Sequence, residues 1–175
     1  YGKTFVDGEK VTGWLPLGNR WYYIANDDYM VTGYYKVGNS TYYFDENGLM
    51  KTGWFKINGE DYYAASSGAI QAQWVKSLSN WYYVDVDGKM VTGYQTINGA
   101  KYYFASSGLM QKDWFKINGE DYYAASSGTI QAQWVKSGRN WYYVDTDGKM
   151  VTGDYIIDGK VNRFDNQGLW MNQIN

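Results

Sequence analysis

The chain has 175 residues, with 16 Lys plus Arg against 18 Asp plus Glu and a net charge of −2, so it lacks the basic excess of a nucleic-acid binder and nucleic acid is set aside as a partner. It contains no Cys and no His, which removes disulfide frameworks, Cys/His zinc sites, Ser-His-Asp triads and Cys-His nucleophiles together. Aromatic residues make up 20%, with 20 Tyr and 9 Trp beside 21 Gly and a single Pro, a mixture far from the globular average.

The first thirteen residues read as half of a repeat, because Asp7-Gly8 and Val11-Thr12-Gly13 stand in register with Asp87-Gly88 and Val91-Thr92-Gly93. Tyr1-Gly2-Lys3 does not open a signal peptide, and no run nears the roughly 18 apolar residues that cross a bilayer, so the expectation is a mature fragment with no membrane span. From there a shift of 20 residues aligns Trp14, Tyr34, Trp54, Trp74, Tyr94, Trp114 and Trp134, and the pair Tyr22-Tyr23 recurs at the same step as far as Tyr142-Tyr143. A slower period of 60 lies on top, with residues 54–93 and 114–153 differing only at positions 69/129, 78/138, 79/139 and 86/146, so three unit types alternate. The whole of 1–175 is read as one module: a half repeat over 1–13, units starting near 14, 34, 54, 74, 94, 114 and 134, and a terminal cap over 154–175, where Asn162-Arg163 replaces the tyrosine pair.

Within a unit such as GWFKINGEDYYAA, two β-prone runs flank Asn58-Gly59, the pair suited to a type I′ turn, so each unit is predicted to be a β-hairpin. A lone hairpin cannot bury a core, and the hairpins must therefore stack into an all-β solenoid, each touching mainly the next. With the turn at Gly18-Asn19, Leu17 pairs with Arg20, Pro16 with Trp21, Leu15 with Tyr22 and Trp14 with Tyr23. Alternation then puts Trp14, Trp21 and Tyr23 on one face and Leu15, Leu17 and Tyr22 on the other. If the first face of one hairpin meets the second face of the next, Trp14 and Trp21 converge on Tyr42, Trp74 and Trp81 on Tyr102, and Trp134 and Trp141 on Asn162. At the other junctions the second ring is replaced by Thr41, Asp61, Lys101 or Asp121. A cage of two Trp and one Tyr offers electron-rich faces and little to a hydrogen-bonding ligand, which suits a quaternary ammonium held by cation–π attraction at roughly 0.5–2 kcal/mol per ring. Three rings give about millimolar affinity per site, and several sites on one array act by avidity on a polymer that displays the ligand repeatedly.

The pattern Gly13-Trp14, six residues, then Trp21-Tyr22-Tyr23, together with the segment from Trp81 through Gly93, resembles the choline-binding, or cell-wall-binding, repeats of Gram-positive surface proteins. The resemblance covers nearly the whole chain. It implies tandem hairpins in a left-handed superhelix, with choline held between successive hairpins by two Trp of one and a Tyr of the next. Carried over by position, the choline-binding residues are Trp14, Trp21 and Tyr42, then Trp74, Trp81 and Tyr102, then Trp134 and Trp141, whose third partner is Asn162 instead of Tyr. It further implies a noncatalytic module, secreted and bound to the bacterial cell wall, that anchors a surface protein or murein hydrolase to choline-bearing teichoic or lipoteichoic acid and needs no cofactor and no metal.

Units such as GYQTINGAKYYFASSGLMQ, residues 93–111, are similar to repeats of glucosyltransferases and clostridial toxins, so a carbohydrate ligand, glucan, host glycan or cell-wall polysaccharide, is the alternative. Asp85-Val86-Asp87-Gly88 and Asp145-Thr146-Asp147-Gly148 share the opening of a calcium loop but lack the liganding Glu at loop position 12, and Asp-Gly between strands is ordinary turn chemistry. Asp61 and Asp121, beside Trp54 and Trp114, are candidates for holding a cation in a reduced cage.

Overall fold

The computed structural model describes Phe5, Val6, residues 8–26 and residues 28–175, the side chains of Phe5 and Val6 excepted; Asp7 of the first half repeat lies outside them. The described residues contain strands and turns and no helix. A short pair, β1 (Phe5–Val6) and β2 (Glu9–Lys10), precedes eight hairpins at the spacing read from the sequence. The first four are β3 (Gly13–Leu17) with β4 (Arg20–Ile24), β5 (Gly33–Val37) with β6 (Ser40–Phe44), β7 (Gly53–Ile57) with β8 (Glu60–Ala64), and β9 (Gln73–Ser77) with β10 (Asn80–Val84). The remaining four are β11 (Gly93–Ile97) with β12 (Ala100–Phe104), β13 (Asp113–Ile117) with β14 (Glu120–Ala124), β15 (Gln133–Ser137) with β16 (Asn140–Val144), and β17 (Gly153–Ile157) with β18 (Lys160–Phe164). A final strand, β19 (Trp170–Ile174), adds to the free edge of β18 with a register shift at Arg163/Phe164. Tyr1–Val91 and Thr92–Asn175 form two compact units, each described by itself.

Turn chemistry sets the register. At Asn58-Gly59, Asn98-Gly99, Asn118-Gly119 and Asp158-Gly159 both central residues have positive φ, as a type I′ turn requires. At Gly18-Asn19, Gly38-Asn39, Leu78-Ser79 and Gly138-Arg139 only the first does, the pattern of type II′. The first hairpin accordingly pairs Trp14 with Tyr23, Leu15 with Tyr22, Pro16 with Trp21 and Leu17 with Arg20, as expected from the sequence.

The core is a column made by every twentieth residue. Ile24, Phe44, Ala64 and Val84 in the first unit, and Phe104, Ala124, Val144 and Phe164 in the second, end the second strand of each hairpin and are at most 2% exposed. Around it the two faces meet as predicted: the Tyr43 ring, on the first face of its hairpin, stacks at 5.3 Å on Phe55, on the second face of the next, and Tyr103 lies 5.6 Å from Phe115 in the same way. The linkers hold successive hairpins together by folding back on the preceding one. Met50 N–H donates to the Trp21 carbonyl at 2.9 Å, Ile70 N–H to Thr41 at 2.8 Å and Met90 N–H to Asp61 at 3.0 Å, with Ile130 to Lys101 and Met150 to Asp121 in the second unit. Each of these bonds satisfies one carbonyl on the outer edge of a second strand, in β4, β6, β8, β12 and β14. Gly88 and Gly148 sit where a Cβ would come within 2.8 and 2.7 Å of the Tyr63 and Tyr123 carbonyl oxygens, so close stacking needs glycine there. The Asp85 and Asp145 carboxylates each accept two backbone N–H groups of their own turn, which is the turn role of Asp-Gly.

Candidate ligand-binding site

Between the first and second full hairpins the structure brings three predicted rings together. Trp14 stands in the middle, with Trp21 at 6.2 Å and an interplanar angle of 86°, and Tyr42 of the next hairpin at 4.9 Å and 79°. Trp14 and Trp21 share a face because they are diagonal neighbours across β3 and β4, while Tyr42 reaches Trp14 from the opposite face of β6. Edge-to-face contact is a preferred geometry of packed rings, and it also joins Trp14 to Tyr23 at 5.2 Å and 79°. Trp14 and Trp21 keep 37% and 44% of their surface exposed, and Trp54, Trp81, Trp134, Trp141 and Trp170 keep 37–40%.

The Trp pair recurs with the 60-residue period. Trp74 and Trp81 stand 6.2 Å apart at 88° in the first unit, and Trp134 and Trp141 stand 6.4 Å apart at 87° in the second. Tyr102 belongs to the second unit, where its ring lies 6.5 Å from Phe104. Asn162 is 5% exposed, and its side-chain oxygen accepts a 3.0 Å hydrogen bond from the indole N–H of Trp170, whose ring stands 6.2 Å from Trp134 at 87°. Sequence reasoning did not single out Trp170. The 20-residue register held the signal, since Trp170 occupies the position of Met30, Met50, Met90, Met110 and Met150 in the earlier repeats.

Two junctions built on a single Trp look different. Trp54 meets Tyr82 at 5.6 Å and Trp114 meets Tyr142 at 5.5 Å, but Asp61 and Asp121 occupy the second-ring position and are ion-paired at 2.7 Å with Lys56 and Lys116, their cross-strand partners. The cation expected beside these carboxylates is therefore supplied by the chain itself. At junctions built on Tyr the hydroxyl is engaged while the residue stays 44% exposed at Tyr34 and 41% at Tyr94. The Tyr34 hydroxyl donates to the Asp87 carbonyl at 2.7 Å, and Tyr94 does the same to Asp147. Burial, reinforced by Tyr62 and Asp87, pushes the Tyr34 hydroxyl from its ordinary 10.0 up to about 12, and burial first, then Tyr122 and Asp147, raises Tyr94 further. Lys101 places its ammonium 5.8 Å from the Tyr94 ring centroid while bonding Asp147 Oδ1 at 2.9 Å.

A row of hairpins whose junctions alternate between paired indoles and single rings accompanied by ion pairs or hydrogen bonds is a repeat-built module. The sequence matches the family described as Choline-binding repeat over residues 31–73 and 91–132, and the one described as Putative cell wall binding repeat over residues 73–90 and 133–150. Among solved structures, the chain is similar to CbpJ from Streptococcus pneumoniae TIGR4, with 31% identity, a TM-score of 0.78, and 93% of this chain and 59% of that one covered. It is also similar to choline binding protein F from Streptococcus pneumoniae, solved in the presence of a peptidoglycan analogue, with 29% identity, a TM-score of 0.79 and coverage of 93% and 58%. The modular autolysin LytC from Streptococcus pneumoniae matches at 25% identity with a TM-score of 0.62, covering 92% of this chain and 39% of that one. The chain thus spans under three fifths of the first two structures it matches. No curated protein sequence matches it. The chain belongs to the choline-binding, or cell-wall-binding, repeat family.

Proposed function

We propose that the chain is a noncatalytic, secreted wall-binding module that takes the choline groups of teichoic and lipoteichoic acid into ring cages between successive hairpins and so holds a surface protein or murein hydrolase on the bacterial cell wall. The observation that supports this reading is the contact of Trp14 with both Trp21 and Tyr42, the two indoles remaining partly exposed. A trimethylated nitrogen has no donor or acceptor to satisfy, so ring faces are the wall chemistry that recognises it, at roughly 0.5–2 kcal/mol per ring. Trp74 and Trp81, with Tyr102, are assigned the same role by the 60-residue period of the sequence, and Trp134 and Trp141 a third. Each site is expected in the roughly millimolar range, with avidity along the polymer supplying tight retention.

The test is retention on an immobilised quaternary amine. Persistence through high salt followed by release in free choline supports the proposal. Release by salt alone, or binding to dextran with no response to choline, refutes it in favour of simple ion exchange or a glucan ligand.

A further inference from the structure

The last junction departs from the others in two linked ways. The strand position that carries Tyr42 in the first cage carries Asn162, which removes a ring. The loop position that carries Met50 six residues after Phe44 carries Trp170, six residues after Phe164, which adds one. Both pairs make the same backbone contact, Phe44 bridging Met50 and Phe164 pairing with Trp170, so the substitution happens in one register. The indole N–H of Trp170 donates to Asn162 Oδ1 at 3.0 Å, and the Asn162 amide is itself anchored by donating to the Lys160 carbonyl at 3.2 Å. The incoming ring is therefore held over the place where a residue-162 phenol would have stood.

The result copies the geometry of the first cage. Trp134 has two perpendicular neighbours, Trp141 at 6.4 Å and Trp170 at 6.2 Å, both at 87°, where Trp14 has Trp21 at 86° and Tyr42 at 79°. Trp134, Trp141 and Trp170 are 38%, 40% and 37% exposed, close to the values of the first pair. This indole meets Trp134 edge-on and is 37% exposed, with its polar atom satisfied by a buried side chain. We infer that Trp170 is the third wall of an all-indole choline cage at the C-terminal junction and that Asn162 is the residue that positions it, an assignment that rests on the choline-binding reading above.

The experiment is a choline chloride titration of the full chain labelled with 5-fluorotryptophan, with sodium chloride as the control and the nine fluorine signals assigned by single substitutions. The signals of Trp134, Trp141 and Trp170 are expected to shift together with one midpoint. Movement of Trp14 and Trp21 while Trp170 stays still overturns the cage assignment alone; no movement anywhere overturns the choline reading and this assignment with it. Trp170→Met should raise the Trp134 midpoint by roughly tenfold, as the loss of one ring implies, and leave that of Trp14 unchanged. Adding Asn162→Tyr to it restores the layout of the first cage and should bring the Trp134 midpoint back. Asn162→Leu removes both the acceptor for Trp170 and the donor to the Lys160 carbonyl and should weaken the site. An unchanged Trp134 midpoint in Trp170→Met, with the circular dichroism of the folded chain intact, refutes the assignment.

Discussion

Trp21→Ala separates ligand binding from folding most cleanly, because Trp21 contributes to the cage far more than to the core. Its ring meets Trp14 at 6.2 Å, and its backbone carbonyl accepts the Met50 N–H whatever side chain the residue carries. Trp14, by contrast, also contacts Tyr23 at 5.2 Å, Tyr42 at 4.9 Å and Phe44 at 6.1 Å, so removing it would disturb the column as well. The expected stability loss for Trp21→Ala combines one edge-to-face pair, about 1 kcal/mol, with the covered part of a ring that is 44% exposed, about 1–2 kcal/mol more. The expected binding loss is one cation–π wall, about 0.5–2 kcal/mol, or roughly 2-fold to 30-fold in the dissociation constant of that site. The measurement is the choline dependence of the Trp14 indole N–H resonance, followed beside a urea unfolding curve. An unchanged Trp14 midpoint in a folded variant refutes the cage. Loss of the fold refutes the claim that Trp21 is there for a ligand.

Three further outcomes follow from the same contacts. Leu78 is 93% exposed and holds φ at +57°, in the turn position where the later copy has Gly138, so Leu78→Gly should raise stability by about 1 kcal/mol, seen as a rise of roughly 2–4 °C in the thermal midpoint. Because the folded chain holds the Tyr34 proton up to about pH 12 and the unfolded chain releases it near 10, the neutral hydroxyl stabilises fully below pH 10 and that contribution disappears on the way to 12; Tyr94 acts in the same direction. Unfolding midpoints between pH 9 and 12 should therefore fall less steeply in the Tyr34→Phe/Tyr94→Phe double variant, which at neutral pH loses about 1 kcal/mol per hydrogen bond. The Lys136 ammonium lies 5.6 Å from the Trp141 ring centroid and competes with a ligand cation for the same electron-rich indole, whereas Pro16 occupies its place in the first cage. Lys136→Ala should therefore tighten choline at the C-terminal cage by roughly twofold at low salt, with the gain shrinking as salt is added; a weaker site in that variant refutes the competition.

The ordering of the hairpins was legible because their signals are local. Asn-Gly and Gly-Asn fix two-residue turns, those turns fix the cross-strand pairs, and the pairs fix which aromatics share a face, so the Trp14–Trp21 diagonal follows from the residues between them. The column of Ile24, Phe44, Ala64 and Val84 was not singled out, because alternation shows only that residue 24 shares a face with Tyr22, and both faces carry large apolar residues. The double-Trp junctions were marked by the sequence, but what engages the rings at the others was not legible. It depends on partners distant in the chain: Tyr34 reaches a carbonyl 53 residues away and Lys101 a carboxylate 46 residues away.

The amino-acid order by itself determined the repeat, the strand register and the identity of the rings that line each face, since all of these rest on spacing and on backbone preferences within about twenty residues. Tertiary stacking alone decided which faces remain accessible. A ring becomes a wall or a plug according to what the next hairpin, or in the last case β19, lays against it, and Trp170 beside Asn162 is where a residue outside the strand pattern takes over a position the pattern had left empty.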